Sequence, residues 1–168
     1  MWSRLFRQRR LVLVVCTANI CRSPVAAAML RSRLKKLGYG RDFDVRSAGV
    51  RVGMPGQGPD PRMKALAARA GLSLRGERAE QLTSSLASRA ELIVVMEQRH
   101  IDEVGELLEA AAVMPSLRRL GDWYGGDTGA DGDIADPYFA NRSALEVAFA
   151  QLDQATVGLA RELAAGPR

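Results

Sequence analysis

The stretch Val15-Cys16-Thr17-Ala18-Asn19-Ile20-Cys21-Arg22-Ser23-Pro24 puts a thiol and a guanidinium at the two ends of a seven-residue turn. Upstream, Arg10 is followed by Leu11-Val12-Leu13-Val14-Val15, a short β-branched apolar run that reads as a fully buried strand with Cys16 at its carboxyl end. Downstream, Val25 to Leu37 is rich in strong helix formers and is closed by Gly38 and Gly40. Ser23 reads as the N-cap of this helix and Pro24 as its first residue. Residues 16–22 therefore bridge a strand and a helix N-terminus, where unpaired backbone N–H groups and the positive end of the helix dipole favour an anion. A phosphoryl group suits that place.

In such a setting Cys16 is expected to act as a thiolate nucleophile. Arg22 can hold two equatorial phosphoryl oxygens with its planar fork, a geometry that lysine does not reproduce, and can stabilise the charge that spreads over them in the transition state. Asn19 tolerates left-handed backbone angles and bonds main-chain groups, which keeps the loop curled. Ser23 can donate a hydrogen bond to the sulfur.

The remaining chain alternates strand and helix. Phe43 to Ser47 reads as a second strand, Glu91 to Val95 as a third and Leu117 to Leu120 as a weaker fourth, with helices expected near 60–70, 83–89, 97–111 and 143–164. Ser143-Ala144-Leu145-Glu146 has capping-box spacing at the start of the last helix. This alternation predicts an α/β fold: a four-stranded parallel sheet, Rossmann-like, with helices on both faces and the site at the strands' carboxyl ends, where Cys16 lies. The Gly/Pro-rich segments 49–61 and 121–137 read as loops able to wall the pocket.

At 168 residues and 47% hydrophobic content, residues 11–168 read as one domain behind a basic tail, residues 1–10. The tail carries four arginines with Trp2, Leu5 and Phe6; contact with a membrane surface and a frayed, solvated end are both open readings. The apolar run behind it is too short for a signal peptide or a membrane span, so no stable membrane insertion and a cytoplasmic location are expected. A net charge of +5 favours anionic partners, but no basic-aromatic motif accompanies it and no nucleic-acid partner is expected. Two cysteines five residues apart make neither a disulfide framework nor a zinc site, and neither metal nor cofactor is expected.

Cys16-x5-Arg22-Ser23 in this context resembles the phosphate loop of the low-molecular-weight protein tyrosine phosphatases. Ser47-Ala48-Gly49, Pro59-Asp60-Pro61-Arg62, Met96-Glu97-Gln98-Arg99-His100-Ile101 and Asp136-Pro137-Tyr138 resemble further family segments in family order. The resemblance implies that Asp136 is the general acid, expelling a tyrosine phenolate and then activating water against a phosphocysteine. It also implies that Thr17, Ala18, Asn19, Ile20, Cys21, Ser23 and Tyr138 bind substrate. Asp122, Asp127, Asp131 and Asp133 share the Gly-rich stretch; Asp136 differs in its extended-favouring Pro137 and the aromatic Tyr138 beside it. General acid catalysis of this kind is worth roughly 100- to 10,000-fold.

Val50-Arg51-Val52-Gly53-Met54 lacks the aromatic residue of broad-range members, and with Trp123 it resembles the bacterial capsule and exopolysaccharide subgroup, whose members act on a tyrosine autokinase. Departures are Ala18 for Gly, Ala27 for Glu on the helix surface, and Glu77 near a position often held by histidine, so any network using that histidine must be rebuilt or absent. Cys21 reads either as a small buried hydrophobe or as a thiol that traps oxidised Cys16 in a disulfide; the resemblance favours the second. His100, the only histidine, reads as a structural or surface residue on the outer part of its helix. Rival functions are an arsenate reductase, disfavoured because no cysteine follows Cys21, a phosphoarginine phosphatase, which typically has Thr in place of Ile20, and a non-catalytic phosphotyrosine-binding module, which needs neither Cys16 nor Asp136.

Overall fold

The structure, a computed structural model, describes residues 8–125 and 132–166. Four parallel strands, β1 (Arg10–Cys16), β2 (Phe43–Gly49), β3 (Leu92–Val95) and β4 (Ser116–Arg119), lie in the order β2-β1-β3-β4. The helices are α1 (Arg22–Lys36), α2 (Pro61–Arg69), α3 (Ser84–Ser88), α4 (Gln98–Leu107) and α5 (Arg142–Ala165). β1 starts one residue earlier than expected, so Arg10 belongs to the sheet, paired with Phe43.

Strand alternation sorts the core into two layers. Val12, Val14 and Val94 face one side, packed with α1, α2 and α5 through Met29, Leu30, Met63 and Leu152. Leu13, Val15, Ile93 and Val95 face the other, against Leu86, Val104 and Leu108 of the α3 and α4 layer. Helices therefore cover both faces, which is why the central strands read as continuous apolar runs. Ala27 lies fully buried in the first layer, so the position expected on the helix surface is a core position where a carboxylate would have to be desolvated.

Two helix starts differ from expectation. α1 opens at Arg22 with Cys21 in the N-cap position and no side-chain cap, and Pro24 is its third residue. A missing N–H at that position is harmless, because it is one of the four that have no intrahelical acceptor. Ser23 is not a cap because its hydroxyl is engaged with Cys16. α5 is capped by Asn141, whose Oδ1 accepts from Ala144 N at 3.0 Å, while Glu146 pairs with Arg142 instead of completing a box with Ser143. α4 stops at Leu107, short of 111. Leu108 is the last fully buried residue of this segment, Ala111 packs partly against the core, and Val113 and Met114 beyond it are 72% and 58% exposed. α1 ends as the sequence indicates: Gly38, at φ 86°, closes it with Gly38 N donating to Lys35 O and Tyr39 N to Leu34 O, a Schellman arrangement.

Candidate active site

β1 delivers Cys16 to the carboxyl edge of the sheet, and the following loop is tied outward through its carbonyls. Val50 N donates to Cys16 O at 3.0 Å, Arg51 N to Thr17 O at 2.8 Å and Asp60 N to Ile20 O at 2.7 Å. The backbone N–H groups of residues 17–21 donate to no protein group among the described residues. Buried N–H groups are rarely left without a partner, so this curl is a cradle for an anion. Gly49, at the end of β2, lets the neighbouring chain press on the loop: a Cβ there would lie 2.7 Å from Thr17 O.

Asn19 sits at φ 57°, the one left-handed non-glycine among the described residues. Its amide makes three bonds: Nδ2 donates to Ser23 Oγ at 2.8 Å and to Ser47 Oγ at 2.9 Å, and Oδ1 accepts from Glu80 N at 2.8 Å. Ser23 Oγ, an acceptor from Asn19, lies 3.0 Å from Cys16 Sγ and 3.4 Å from Ala48 O, so its hydrogen is available to a Cys16 thiolate. No histidine is needed in this network; Glu77 instead pairs with Arg31.

Arg22 is 1% exposed. Its Nη1 donates to Glu97 and, at 2.8 Å, to Ile134 O; its Nη2 lies 3.0 Å from Asp136 Oδ2 and 3.4 Å from Thr17 Oγ1. Nε is buried with no partner among the described residues. The guanidinium is thus fixed on one side and has a donor to spare on the other, as bidentate capture of an oxyanion requires.

Three residues given no catalytic or binding role from the sequence lie beside Arg22 and Thr17. Glu97 bonds both Arg22 and Arg99, and Arg99 Nη2 also donates to Thr17 Oγ1 at 2.8 Å. His100 is not on the outer helix. It is fully buried, with Nδ1 accepting from Glu97 N at 3.2 Å and Nε2 lying 3.0 Å from Thr17 Oγ1. The legible signal was Glu97-x-x-His100 straight after a strand, the spacing of a reciprocal helix cap.

Burial, with the Arg22 and Arg99 charges, holds His100 down to about 4. Burial alone would raise Glu97, but the hydrogen bonds from Arg99 and Arg22 outweigh it and hold the carboxyl at about 2. Both groups bind fewer protons folded than unfolded. The His100 contribution is therefore complete above its ordinary value of 6.5 and is lost as the pH falls toward 4; that of Glu97 is complete above 4.5 and is lost toward 2. For His100 this amounts to on the order of 3 kcal/mol near neutrality. The thermal midpoint should fall between pH 7 and pH 5, and His100→Gln should flatten that part of the curve; an unchanged slope in the variant would remove His100 as its source.

Of the rival acids, Asp133 accepts from Gln98 N at 2.9 Å and Arg119 at 3.3 Å, and Asp122 lies 3.7 Å from Arg119; Asp127 and Asp131 lie outside the described residues. Asp136 is the carboxylate beside Arg22, and Tyr138 N donates back to its Oδ1 at 3.1 Å. Tyr138 is exposed and meets Phe139 edge-on at 4.7 Å; Phe139, 97% exposed, had no part in the sequence reading. Ile20 is buried and Ala18 half-buried in the loop. Cys16 and Cys21 are both buried free thiols, and burial first, then the charge of Asp136, pushes Cys21 up to about 12.

Residues 11–167 match the family described as low molecular weight phosphotyrosine protein phosphatase. A low molecular weight protein-tyrosine-phosphatase of Streptomyces coelicolor is 34% identical over 148 residues, 88% of this chain and 90% of that one. The Escherichia coli enzyme Etp, named likewise, is 34% identical over 156 residues, 90% and 93% of the two chains. The crystal structure of the Erwinia amylovora tyrosine phosphatase AmsI superposes with a TM-score of 0.78 at 30% identity, covering 94% of this chain and 95% of that one.

Proposed function

The chain belongs to the low molecular weight phosphotyrosine protein phosphatase family, and from that premise we propose that it hydrolyses phosphotyrosine through a phosphocysteine on Cys16. The observation that carries the reading is the cradle of unpartnered N–H groups at residues 17–21, closed by the free Nε of a buried, immobilised Arg22. A dianionic phosphoryl group satisfies all of these donors at once.

In the first step the Cys16 thiolate attacks phosphorus, the S–P bond forms and the P–O bond to the phenol breaks, with the Asp136 proton passing to the departing oxygen. Arg22 and the loop amides take up the charge on the equatorial oxygens. In the second step water attacks phosphorus, gives its proton to Asp136, and the S–P bond breaks to release phosphate and the thiolate. Ser23, donating to sulfur, makes Cys16 a better leaving group there. Asp136, 3.0 Å from Arg22 Nη2, stands where it can serve both steps. Retention of nucleophile, arginine and acid together supports an enzyme over a binding module, and a branched apolar Ile20 in the loop supports a flat phenyl ring over phosphoarginine.

Among the described residues no helix is long and apolar enough to cross a membrane. The physiological substrate we assign is a bacterial tyrosine autokinase of polysaccharide export, met in the cytoplasm. The support is the aliphatic loop Val50–Met54.

The test compares kcat/KM of the parent and Asp136→Asn on phosphotyrosine, phosphoarginine and a nitrophenyl phosphate. The variant should lose roughly a hundredfold or more on phosphotyrosine and far less on the nitrophenyl ester, whose leaving group needs little protonation. Equal losses on the two aryl esters would reject Asp136 as the acid. A parent preference for phosphoarginine would reject the tyrosine reading.

A further inference from the structure

Thr17 carries a hydroxyl where the loop chemistry described above uses only backbone. Its oxygen is approached from three directions. Arg99 Nη2 donates at 2.8 Å, His100 Nε2 lies at 3.0 Å and Arg22 Nη2 at 3.4 Å. The role of the imidazole is settled by its other nitrogen: the backbone N–H of Glu97 can only donate, and it points at Nδ1 at 3.2 Å. Nδ1 is therefore bare, the ring hydrogen sits on Nε2, and Nε2 donates to Thr17.

A hydroxyl oxygen has two lone pairs and one hydrogen. Here Arg99, His100 and, at 3.4 Å, Arg22 all present N–H donors to it, one more than its lone pairs can take, so its hydrogen can only be given away. It finds no acceptor among the described residues. The two nearer donors come from the start of α4, which leaves the O–H bond the side of Arg22, whose Nη2 makes the longest of the three contacts and also lies 3.0 Å from Asp136 Oδ2.

We propose that the Thr17 side chain is a directed hydrogen-bond donor to the phosphoryl oxygen carried by Arg22 Nη2, and that His100 and Arg99 are positioning residues acting through it. The proposal rests on the phosphatase reading of the same site. It adds a side-chain donor to the backbone cradle and gives the buried histidine a task beyond capping α4. Loss of one hydrogen bond to a charged oxygen corresponds to about a ten- to a hundredfold loss.

The experiment measures kcat/KM on a nitrophenyl phosphate, together with calorimetric binding of inorganic phosphate, for the parent, Thr17→Ser, Thr17→Val, His100→Ala, His100→Gln and the Thr17→Val, His100→Ala double variant. Thr17→Val, which keeps shape and removes the hydroxyl, should fall by about tenfold or more in both measurements, and Thr17→Ser should stay within a few-fold of the parent. His100→Ala should weaken the parent but add nothing in the Thr17→Val background, and His100→Gln, able to donate to Thr17, should recover much of the loss. Thermal unfolding of each protein separates these effects from misfolding, and the Ser and Gln variants keep the question open to decision if an Ala or Val variant fails to fold. A Thr17→Val enzyme equal to the parent, or a Thr17→Ser enzyme as poor as Thr17→Val, would overturn the donor role. Additive losses in the double variant would overturn the route through Thr17. Should the parent itself turn over no aryl phosphate, the phosphatase reading falls, and phosphate binding by Thr17→Val against Thr17→Ser still decides the donor.

Discussion

Cys16→Ser is expected to abolish turnover, by roughly four orders of magnitude or more, while leaving the protein folded and able to bind inorganic phosphate. Cys16 is almost fully buried, with its sulfur 3.0 Å from Ser23 Oγ, and a serine oxygen is smaller and can keep a bond to the same partner. The unpartnered amides of residues 17–21 and the Arg22 fork do not depend on sulfur, so the anion cradle persists. What is lost is a group that ionises at neutral pH and leaves readily from phosphorus. Rapid quenching of the parent during turnover should trap acid-labile phosphate on Cys16, and the variant should trap none. Substantial turnover by a pure Cys16→Ser preparation would eliminate the covalent mechanism.

Arg22→Lys should lower kcat by about a hundredfold or more and destabilise the protein as well. The guanidinium serves four described partners at once, Glu97, Ile134 O, Thr17 and Asp136, and holds Nε in reserve. An ammonium has three hydrogens on one nitrogen and a shorter reach, so it cannot satisfy that set and also fork a phosphoryl group. Glu97, held ionised at about 2 by Arg99 and Arg22, would be left with Arg99 alone. A near-parental kcat would make Arg22 a structural cation only; an unchanged thermal midpoint would refute its part in the buried network.

The fold was legible because β1 and β3 are buried on both faces, which leaves unbroken apolar runs, and because the turn after β1 joins recognisable strand and helix chemistry. The site was legible where a residue's type announces its chemistry: Asp136 lies 3.0 Å from Arg22, and Cys16 ends β1 at the head of the loop that leads to Arg22. It was illegible where chemistry depends on which way a common residue faces. Ser23 looked like a cap but lies inside the first turn of α1, with its hydroxyl 3.0 Å from Cys16 Sγ. Ala27 looked like surface and proved to be core. The Glu97-x-x-His100 spacing marks a cap and so accounts for Nδ1 on Glu97 N, but it does not reveal that the other ring nitrogen meets Thr17. The cap of α5 slipped by two residues, from Ser143 to Asn141, since both have side chains suited to the task.

Arg22 reaches across the order of synthesis. Its partners Glu97 and Ile134 stand 75 and 112 residues further along the chain, and Asp136 follows two residues later. On a ribosome the nucleophile loop emerges early, and β1 and β2 can pair while most of the polypeptide is still unmade. Until the stretch around Ile134 arrives, the arginine has no carbonyl to hold it and no acid beside it. On the proposed mechanism, competence to cleave phosphate esters therefore switches on late and all together, and nascent or prematurely terminated chains, however well their first strands have paired, should lack it.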